Sequence, residues 1–370
     1  MRLHRSVVVA VAALACATPA AAGKTAVGSP AQFHAAVASM RATGGVVVLE
    51  PGRYPHLTVG RRPAGARPLI VRGRPGASVR LVTLRRTHDV QIVGVTVEPR
   101  VKRDARVDVF RSRGIVVRNV TFAGTDGRFA RVRLRGARQV TIAASDFTAC
   151  GVGLACVALT GGNRNVRVLG SRFHDCVGCD FIRGRFAAWM TLRGNTFAGA
   201  LSGGCVTLVG CNHQDLVQLD GGRGLHVEGN TFGIYEFGAA QLFVRSGVGV
   251  TIRGNVFEPA DPGPLGLMNL NAIVLGTHLG WAPRRVVIEG NDILAGGPRP
   301  GFYTPAGVAT SVLLWPAFDA LPVEDRPAVR GNTIGVSAAP EWFCARLRES
   351  EGNHILRGVA CSDTDTTDGG

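Results

Sequence analysis

The chain has 370 residues, and its 42 Lys and Arg residues against 26 Asp and Glu residues give it a net charge of +16 at neutral pH. Aromatic residues make up only 6% of the chain, so the stacking platforms of nucleic-acid-binding proteins are scarce, and the sequence shows no nucleic-acid-binding module. We therefore expect no nucleic-acid partner. A strongly basic protein is expected instead to meet an acidic polysaccharide or an acidic envelope, unless its arginines serve only solubility.

Residues 1–22 predict a secretory signal peptide. A basic start with Arg2 and Arg5 precedes an apolar run over residues 7–15 and three alanines at residues 20–22. The apolar run is shorter than the ~20 residues that a membrane-spanning helix needs. We expect the mature chain to be secreted into the periplasm or the extracellular space, without a membrane span.

Residues 23–65 predict an N-terminal cap and the first strands. Apolar residues recur at helical spacing between Phe33 and Met40, and Gly44 and Gly45 end this pattern. A short run of β-branched residues follows and closes at a Pro-Gly turn. A short helix that leads into a strand in this way is suited to cover the open end of a stack of strands.

One unit repeats over residues 66–357, and this repeat is the strongest pattern in the sequence. Each copy has a β-rich segment that ends in Gly-Asn or another small polar pair, and an aromatic or aliphatic residue follows two positions later. These marker residues are Phe122, Phe147, Phe173, Phe197, Phe232, Phe257, Ile293 and Ile334. The phenylalanine markers are about 25 residues apart except for one interval of 35 residues, and an interval of 36 residues leads to Ile293.

This period, with short strands and no helical pattern between them, predicts an all-β parallel β-helix, a solenoid whose coils stack ~4.8 Å apart. Equivalent residues then form columns. We expect the marker phenylalanines to stack in the core, and each turn Asn to adopt a left-handed conformation and to hydrogen-bond to the next coil. The two long intervals place insertions at about 198–211 and 258–280 on one face, where they would wall a groove. Residues 358–370 predict a polar C-terminal tail.

Of the nine cysteines, only Cys16 falls within the signal peptide, and the remaining even number indicates disulfides in an oxidising compartment. Zinc at the CxxC of Cys176 and Cys179 is the alternative, but a second such pair at zinc-binding spacing is missing. Cys150 and Cys176 each follow a marker by three residues, and Cys156 and Cys179 precede the next marker by 17 and 18 residues. The predicted bridges are Cys150–Cys176, Cys156–Cys179, Cys205–Cys211 and Cys344–Cys361.

Alignment of the coils by their markers places polar residues on the outward side of one sheet. Asp180 and Asp215 each lie 17 residues before a marker, and Arg183 and Gln218 each lie 14 residues before it, so we expect each pair to stack. Alternation along the strands then decides which neighbours face outward. The predicted outward strip contains Arg133, Asp180, Arg183, Asp215, Gln218, Asp220, Gln241, Phe243 and Arg245.

Two stacked carboxylates do not both ionise unless a cation compensates them. Asp180 and Asp215 therefore predict a Ca²⁺ site assisted by Gln214 or Asn212, since Ca²⁺ takes carboxylate and amide oxygens. Alternatively, the two carboxylates pair with Arg183 and Arg245. The third possibility is a solvated polar face without chemistry.

The segment FHAAVASMRATGGVVVLEPGRY and the GN-x-F/I coils resemble the right-handed parallel β-helix proteins of the pectin lyase-like superfamily, over about residues 30–355. That superfamily includes polysaccharide lyases, hydrolases, uronate epimerases and members of no known activity. The segment NHQDLVQ is similar to the His-x-Asp-x-x-Gln pattern of many secreted β-helix proteins, which falls here on His213, Asp215 and Gln218. The motifs of alginate epimerases (DPHD), polygalacturonases (NTD, GHG, RIK) and classical pectate lyases (RxPxxR) are absent from the sequence.

The resemblance and the outward strip favour an enzyme that acts on an acidic polysaccharide as a lyase or a C5-epimerase. Both reactions remove the proton at C5 of a uronate, which requires a base and a cation that neutralises the carboxylate. The predicted catalytic residues are His213 as the base, Arg183 and Arg245 as cations, and Asp215 of the alternative Ca²⁺ site. The predicted substrate-binding residues are Gln214, Gln218, Asp220 and Gln241.

Other interpretations remain open. His213 is just as well suited to cap a turn as to transfer a proton. A hydrolase would use Asp215 with Asp220 or Asp180 as its acid and base. A non-catalytic cell-surface or carbohydrate-binding β-helix protein would use the same strip for binding alone. In each case we expect a monomer.

Overall fold

The computed structural model describes fourteen parts of the chain. They are residues 23–98, 106–123, 130–150, 155–185, 187–201, 215–233, 240–259, 271–294, 311–314, 316–335, 337–338, 344, 346–356 and 358–359. These parts wind into a right-handed all-β solenoid of about ten turns with a single short α-helix. The predicted parallel β-helix is therefore confirmed. No helix in these parts has the length and hydropathy of a membrane span.

Each coil contributes one strand to a sheet that we call sheet 1. Parallel pairing runs from coil to coil without a crossover between neighbours in the stack. Its strands, in order, are Lys24–Val27, Gly45–Leu49, Leu69–Gly73, His88–Val93, Arg113–Arg118, Arg138–Ala143, Arg164–Leu169, Ala188–Arg193, Arg223–Glu228, Val248–Arg253, Arg284–Glu289, Ala328–Arg330 and Glu349–Glu351.

After a tight turn the chain forms a very short strand, and these short strands form sheet 2. They are Thr96–Val97, Thr121–Phe122, Asp146–Thr148, Arg172–His174, Thr196–Phe197, Thr231–Phe232, Val256–Phe257, Asp292–Ile293, Thr333–Ile334 and His354–Ile355. A loop then leads to a longer strand of sheet 3, which returns the chain to sheet 1. The strands of sheet 3 are Gly52–Val59, Ala77–Arg85, Arg106–Phe110, Val132–Arg135, Ala155–Thr160, Asp180–Arg185, Asp215–Asp220, Ala240–Arg245, Ile273–Gly276 and Val312–Leu314.

Sheets 2 and 3 are joined near their beginning, because the strand Ala77–Arg85 pairs with both Thr96–Val97 and Arg106–Phe110. Two further pairs of short strands lie outside the three sheets: Cys176–Val177 with Ala200–Leu201, and Ser337–Ala338 with Gly358–Val359. Two 3-10 helices, Pro316–Ala320 and Val323–Asp325, lie before the strand Ala328–Arg330.

The helix Pro30–Ser39 begins at the N-cap Ser29, whose side chain accepts a hydrogen bond from the backbone N–H of Gln32. It buries Phe33 and Ala36, as the helical spacing predicted. The strand Lys24–Val27 before it was not predicted, and it pairs with Gly45–Leu49. That the helix caps the solenoid stays a prediction.

The marker phenylalanines stack in the core as predicted. Successive ring centroids from Phe122 to Phe257 are 4.4, 4.4, 5.0, 5.1 and 4.6 Å apart, and the rings are close to parallel. All six rings are fully buried. The column is structural, because each ring fills the space directly above its equivalent in the coil below.

A buried column of asparagines lies at the turn between sheets 1 and 2. From Asn230 onward, the side-chain oxygen of each Asn accepts the backbone N–H of the preceding Asn at 2.9–3.1 Å, and also accepts its side-chain amide. Its members are Asn195, Asn230, Asn255, Asn291, Asn332 and Asn353. The predicted inter-coil hydrogen bonds are thus present.

The predicted backbone conformation of these asparagines is wrong. The left-handed residue of each turn is the preceding one, as at Gly229 and Gly254, with φ of +59° and +60°. Glycine adopts this conformation without a Cβ clash, which explains the Gly-Asn order. In two earlier coils, Asn119 and Ala144 occupy the left-handed position, and the residues after them are Val120 and Ser145.

The predicted pairing of four cysteines is also wrong, since the bridges are Cys150–Cys156 and Cys176–Cys179. In the observed register Ala155 pairs with Asp180, and Val157 pairs with Ile182. Cys156 therefore lies beside Phe181, two residues beyond the position that the marker spacing suggested. Cys344 is disulfide-bonded, but Cys205, Cys211 and Cys361 lie outside the described residues, so those pairings stay predictions.

We expect Asn255→Ala to lower the free energy of unfolding by about 2–4 kcal/mol, because the backbone N–H and the amide of Asn230 lose a buried acceptor. Asn353→Ala is the matched control. Its side chain is half-buried at the end of the column, where water can replace the lost hydrogen bonds. Chemical denaturation followed by far-ultraviolet circular dichroism measures both, and equal losses would contradict a burial effect.

Candidate functional site

The outward side chains of sheet 3 form columns because its strands pair in register. One column runs through Asp108, Arg133, Ala158, Arg183, Gln218 and Phe243. The predicted stacking of Arg183 on Gln218 is confirmed, and Arg133 lies two strands before Arg183 as predicted. Arg133 itself pairs with Asp108, whose two oxygens it approaches at 2.9 Å.

Asp180 and Asp215 stack as predicted, at the beginning of two neighbouring strands. The backbone N–H of Asp215 donates to Asp180 Oδ1 at 3.0 Å, and the backbone N–H of Ala240 donates to Asp215 Oδ1 at 3.0 Å. The two residues are only 4% and 1% exposed. Arg183 Nη1 lies 3.9 Å from Asp180 Oδ2. Each carboxylate thus holds the first backbone N–H of the next strand, which is a structural contact.

Asp220 lies at the other end of its strand, between two arginines on the neighbouring strands. Arg245 Nε donates to Asp220 Oδ1 at 2.7 Å, and Arg185 Nε lies 3.5 Å from Oδ2. Gln218 Nε2 donates to the same carboxylate at 3.2 Å. Asp220 is fully buried, whereas the side chains of Arg185 and Arg245 are 50% and 22% exposed. The carboxylate therefore fixes two cations that still reach the surface.

The surroundings of Asp220 keep it ionised. Burial by itself raises the pKa of this carboxyl, but the hydrogen bond and charge of Arg245 outweigh it, and the hydrogen bond from Gln218 and the charge of His278 act in the same direction. The net effect is a pKa below the ordinary value of 3.8.

Gln241 does not belong to the outward strip, which corrects the prediction. Its side chain is fully buried. Its Nε2 donates to the backbone oxygens of Phe232, Gly233 and Glu258 at 3.0–3.3 Å. Ala240 packs with Phe243 on the outward side, whereas Leu242 belongs to the main core. Gln241 and Leu242 therefore both face inward, and the alternation rule fails there.

The outward face becomes apolar beyond Gln218, which the sequence prediction missed. Phe243 is 1% exposed and forms a small cluster, separate from the main core, with Ala240, Val274 and Leu313. The guanidinium of Arg245 lies over the Phe243 ring, 5.3 Å from its centroid. The polar part of the face therefore ends with Gln218, Asp220 and Arg245.

Asn212, His213 and Gln214 lie outside the described residues, as does most of the predicted insertion at 198–211. The parts that the structure describes contain no group of three or more His, Cys, Asp or Glu residues that could hold a metal ion. Ca²⁺ takes about six to eight oxygen ligands, so Asp180 and Asp215 would supply only part of such a site. Calcium binding by these two residues stays a prediction.

The sequence prediction missed two residues of this cluster. Arg185 could have been found, because it and Asp220 each precede a marker phenylalanine by 12 residues, which places them in one column. His278 follows the strand Ile273–Gly276 in an irregular segment, where its backbone pairs with Trp281 at 3.1 Å. No periodic signal in the sequence points to His278.

No family model matches the chain, and no curated protein is similar to it in sequence. Among solved structures, it is similar to PfbA, a surface adhesin of Streptococcus pneumoniae, with 11% identity over 89% of this chain and 86% of that one and a TM-score of 0.52. It is also similar to the catalytic unit of an alpha-1,3-glucanase from Streptomyces thermodiastaticus (13% identity, 93% and 70% covered, TM-score 0.46). A polygalacturonase from Erwinia carotovora is a third (11% identity, 80% and 94% covered, TM-score 0.44).

At these identities the likeness concerns the fold alone. The fold is a right-handed parallel β-solenoid, as the repeat predicted.

We expect Asp220→Asn to destabilise the protein by about 2–3 kcal/mol at neutral pH, because a buried charge-assisted hydrogen bond is lost. A carboxyl whose pKa is lowered on folding stabilises the fold fully above its unfolded pKa, and this stability is lost as the pH falls through the folded pKa. The difference in unfolding free energy between wild type and Asp220→Asn should therefore shrink below about pH 4.

Denaturation curves at several pH values measure this difference. Glu289→Gln is the control, because Glu289 pairs with an exposed arginine, Arg253, at the surface, and such pairs contribute about 0–1 kcal/mol. A destabilisation by Asp220→Asn that is the same at neutral and acidic pH would contradict an ionised Asp220.

Proposed function

We propose that the protein binds an acidic polysaccharide along the outward face of sheet 3 and acts on it as a lyase or C5-epimerase. The observation that carries this proposal is the placement of Arg183 and Arg185 on one strand and Arg245 on another, with Asp220 on the strand between them, buried beneath Arg185 and Arg245. A uronate carboxylate at this position would meet guanidinium groups that are already oriented. Such preorganised charge stabilises the anion that forms when the C5 proton is removed.

The chemistry would proceed through the same first step in both reactions. A base removes the C5 proton, and the electron pair is stabilised through the neutralised carboxylate. In a lyase this pair then forms the C4–C5 double bond while the C4–O bond breaks, and the leaving oxygen takes a proton. In an epimerase the proton returns to C5 from the opposite face. We assign the base role to His213, which precedes the strand Asp215–Asp220 by two residues.

The carboxylates argue against a hydrolase. A glycoside hydrolase needs an acid with a raised pKa beside a second carboxylate. Asp180 and Asp215 hold backbone N–H groups, and the pKa of Asp220 is lowered. The lowered pKa of Asp220 does not suit a general acid, and a backbone N–H already occupies one oxygen each of Asp180 and Asp215.

A non-catalytic polysaccharide-binding protein is the second candidate. It is favoured by the way in which the described polar residues bind each other: Gln218, Arg185 and Arg245 all contact Asp220. Such a cluster forms a rigid cationic surface, which is sufficient for binding a polyanion without any proton transfer.

We expect the wild-type protein to convert at least one polyuronate. A lyase product is detected by the ultraviolet absorbance of its unsaturated uronate, and epimerisation by NMR of the incubated sugar. His213→Ala should lower kcat by at least about 100-fold, because general base catalysis contributes roughly this much. Arg183→Gln should lower kcat/KM about tenfold, because one partly exposed charge–charge contact with the substrate is lost.

Arg167→Gln is the matched control, because Arg167 is exposed on sheet 1 and pairs with Thr191 of the next strand, far from the proposed site. If the wild type and His213→Ala bind the polysaccharide equally well and neither forms a product, the protein is a non-catalytic binding protein. A failure to bind any acidic polysaccharide would overturn the proposal as a whole.

A further inference from the structure

A second outward column of sheet 3 contains an arginine on every second strand. Register pairs link Arg85 to Phe110, Phe110 to Arg135, Arg135 to Thr160, Arg185 to Asp220, and Asp220 to Arg245. Thr160 and Arg185 continue the register of Leu159 with Gly184. We call this set the arginine column: Arg85, Phe110, Arg135, Thr160, Arg185, Asp220 and Arg245.

The spacing within the arginine column follows from the fold. Neighbouring strands of a sheet are ~4.8 Å apart, so successive arginines of the column repeat at ~9.6 Å. The column from Arg85 to Arg245 then extends over ~29 Å of the solenoid axis. It begins outside the cluster around Asp220 and ends within it.

The residues between the arginines hold the guanidinium groups in place. Arg85 and Arg135, on the strands either side of Phe110, have guanidinium groups 5.5 and 5.8 Å from its ring centroid, and Arg111 from the adjacent turn lies 5.2 Å from it. Arg185 and Arg245 are held in the same way by Asp220. One half of the column is therefore organised by an aromatic ring and the other half by a carboxylate.

The aromatic half carries uncompensated charge. Arg85, Arg111 and Arg135 are exposed. No carboxylate in the described parts of the chain forms an ion pair with any of the three. Asp108, two residues before Phe110 on the same strand, pairs with Arg106 and Arg133. A cation–π contact orients an arginine without neutralising it, so this half of the face attracts anions.

We propose that the arginine column binds a linear acidic polysaccharide that presents one carboxylate toward the protein for every two sugars. In an extended chain whose successive sugars face opposite sides, every second carboxylate faces the protein. A polymer in which acidic and neutral sugars alternate presents its carboxylates at the same interval. This inference rests on the proposed function for the identity of the face, and it extends the site by four strands toward the N-terminal coils.

The test is binding of polyuronate oligosaccharides of increasing length, measured by calorimetry. Arg85→Gln and Arg135→Gln should each weaken binding of the longer oligosaccharides about fivefold, which corresponds to one partly exposed charge contact. The double variant should weaken binding of the longer oligosaccharides about 25-fold. Oligosaccharides that are too short to reach past Thr160 should bind the single and double variants as they bind the wild type. Arg167→Gln on sheet 1 is the control with the same loss of charge, and it should bind like the wild type.

A second variant separates spacing from net charge. Arg135→Gln combined with Thr160→Arg keeps the net charge and keeps the arginine on the exposed outward side of sheet 3, but moves it by one strand. We expect its affinity to stay as low as that of Arg135→Gln alone. Full recovery of binding would mean that only the charge of the face matters, and it would overturn the two-strand repeat.

The outcomes distinguish this inference from the function on which it rests. If the wild type binds acidic polysaccharides and the Arg85 and Arg135 variants bind them equally well, the arginine column is wrong and the proposed function stands. If the wild type binds none, both are wrong. If a single-stranded oligonucleotide binds with the same dependence on Arg85 and Arg135, the assignment to a polysaccharide is overturned. All these side chains are exposed, and circular dichroism confirms that the variants fold.

Discussion

The residue-by-residue pairing of successive coils is the constraint on which the rest of this structure depends. In a parallel solenoid the neighbours of any side chain are its equivalents in the coils before and after it. A polar side chain inside such a column needs a partner of matching chemistry there, because an unsatisfied buried amide costs free energy. The asparagine column meets this need with asparagine above asparagine. Where the turn holds Ser145 and Ser171 instead, a hydroxyl accepts the corresponding backbone N–H.

The same constraint gives the carboxylates of neighbouring strands two different roles. Asp180 and Asp215 begin their strands, where the next backbone N–H lies directly above, and this N–H becomes their partner. Asp220 ends its strand on the outward side, where its column neighbours are Arg185 and Arg245. A buried carboxylate between two arginines stays ionised, so it orients cations for other ligands. It is poorly suited to deliver a proton itself.

Sequence periodicity predicted those features that depend on the count of residues between equivalent positions. The phenylalanine stack, the asparagine hydrogen bonds and the pairing of Arg183 with Gln218 all follow from one spacing. The prediction failed where the number of residues between equivalent positions changes or where strand alternation does not hold. Gln241 and Leu242 both face inward, which breaks strand alternation, and the cysteine pairing used residue counts that span a loop of unequal length. His278 lies in an irregular segment, where no equivalent residue in another coil exists for comparison.

The two-strand repeat of the arginine column keeps its positive charges apart, although Arg113, Arg138 and Arg164 of sheet 1 do pair on adjacent strands. Two arginines on adjacent strands would place their charges ~4.8 Å apart, which is unfavourable without a carboxylate between them. Phe110, Thr160 and Asp220 separate the arginines by a neutral or an acidic side chain. The fold offers multiples of the strand spacing, and the residues between the arginines of this column set the repeat of positive charge at twice that spacing. A polyanion that binds this face must match a length that the backbone of the protein has already set.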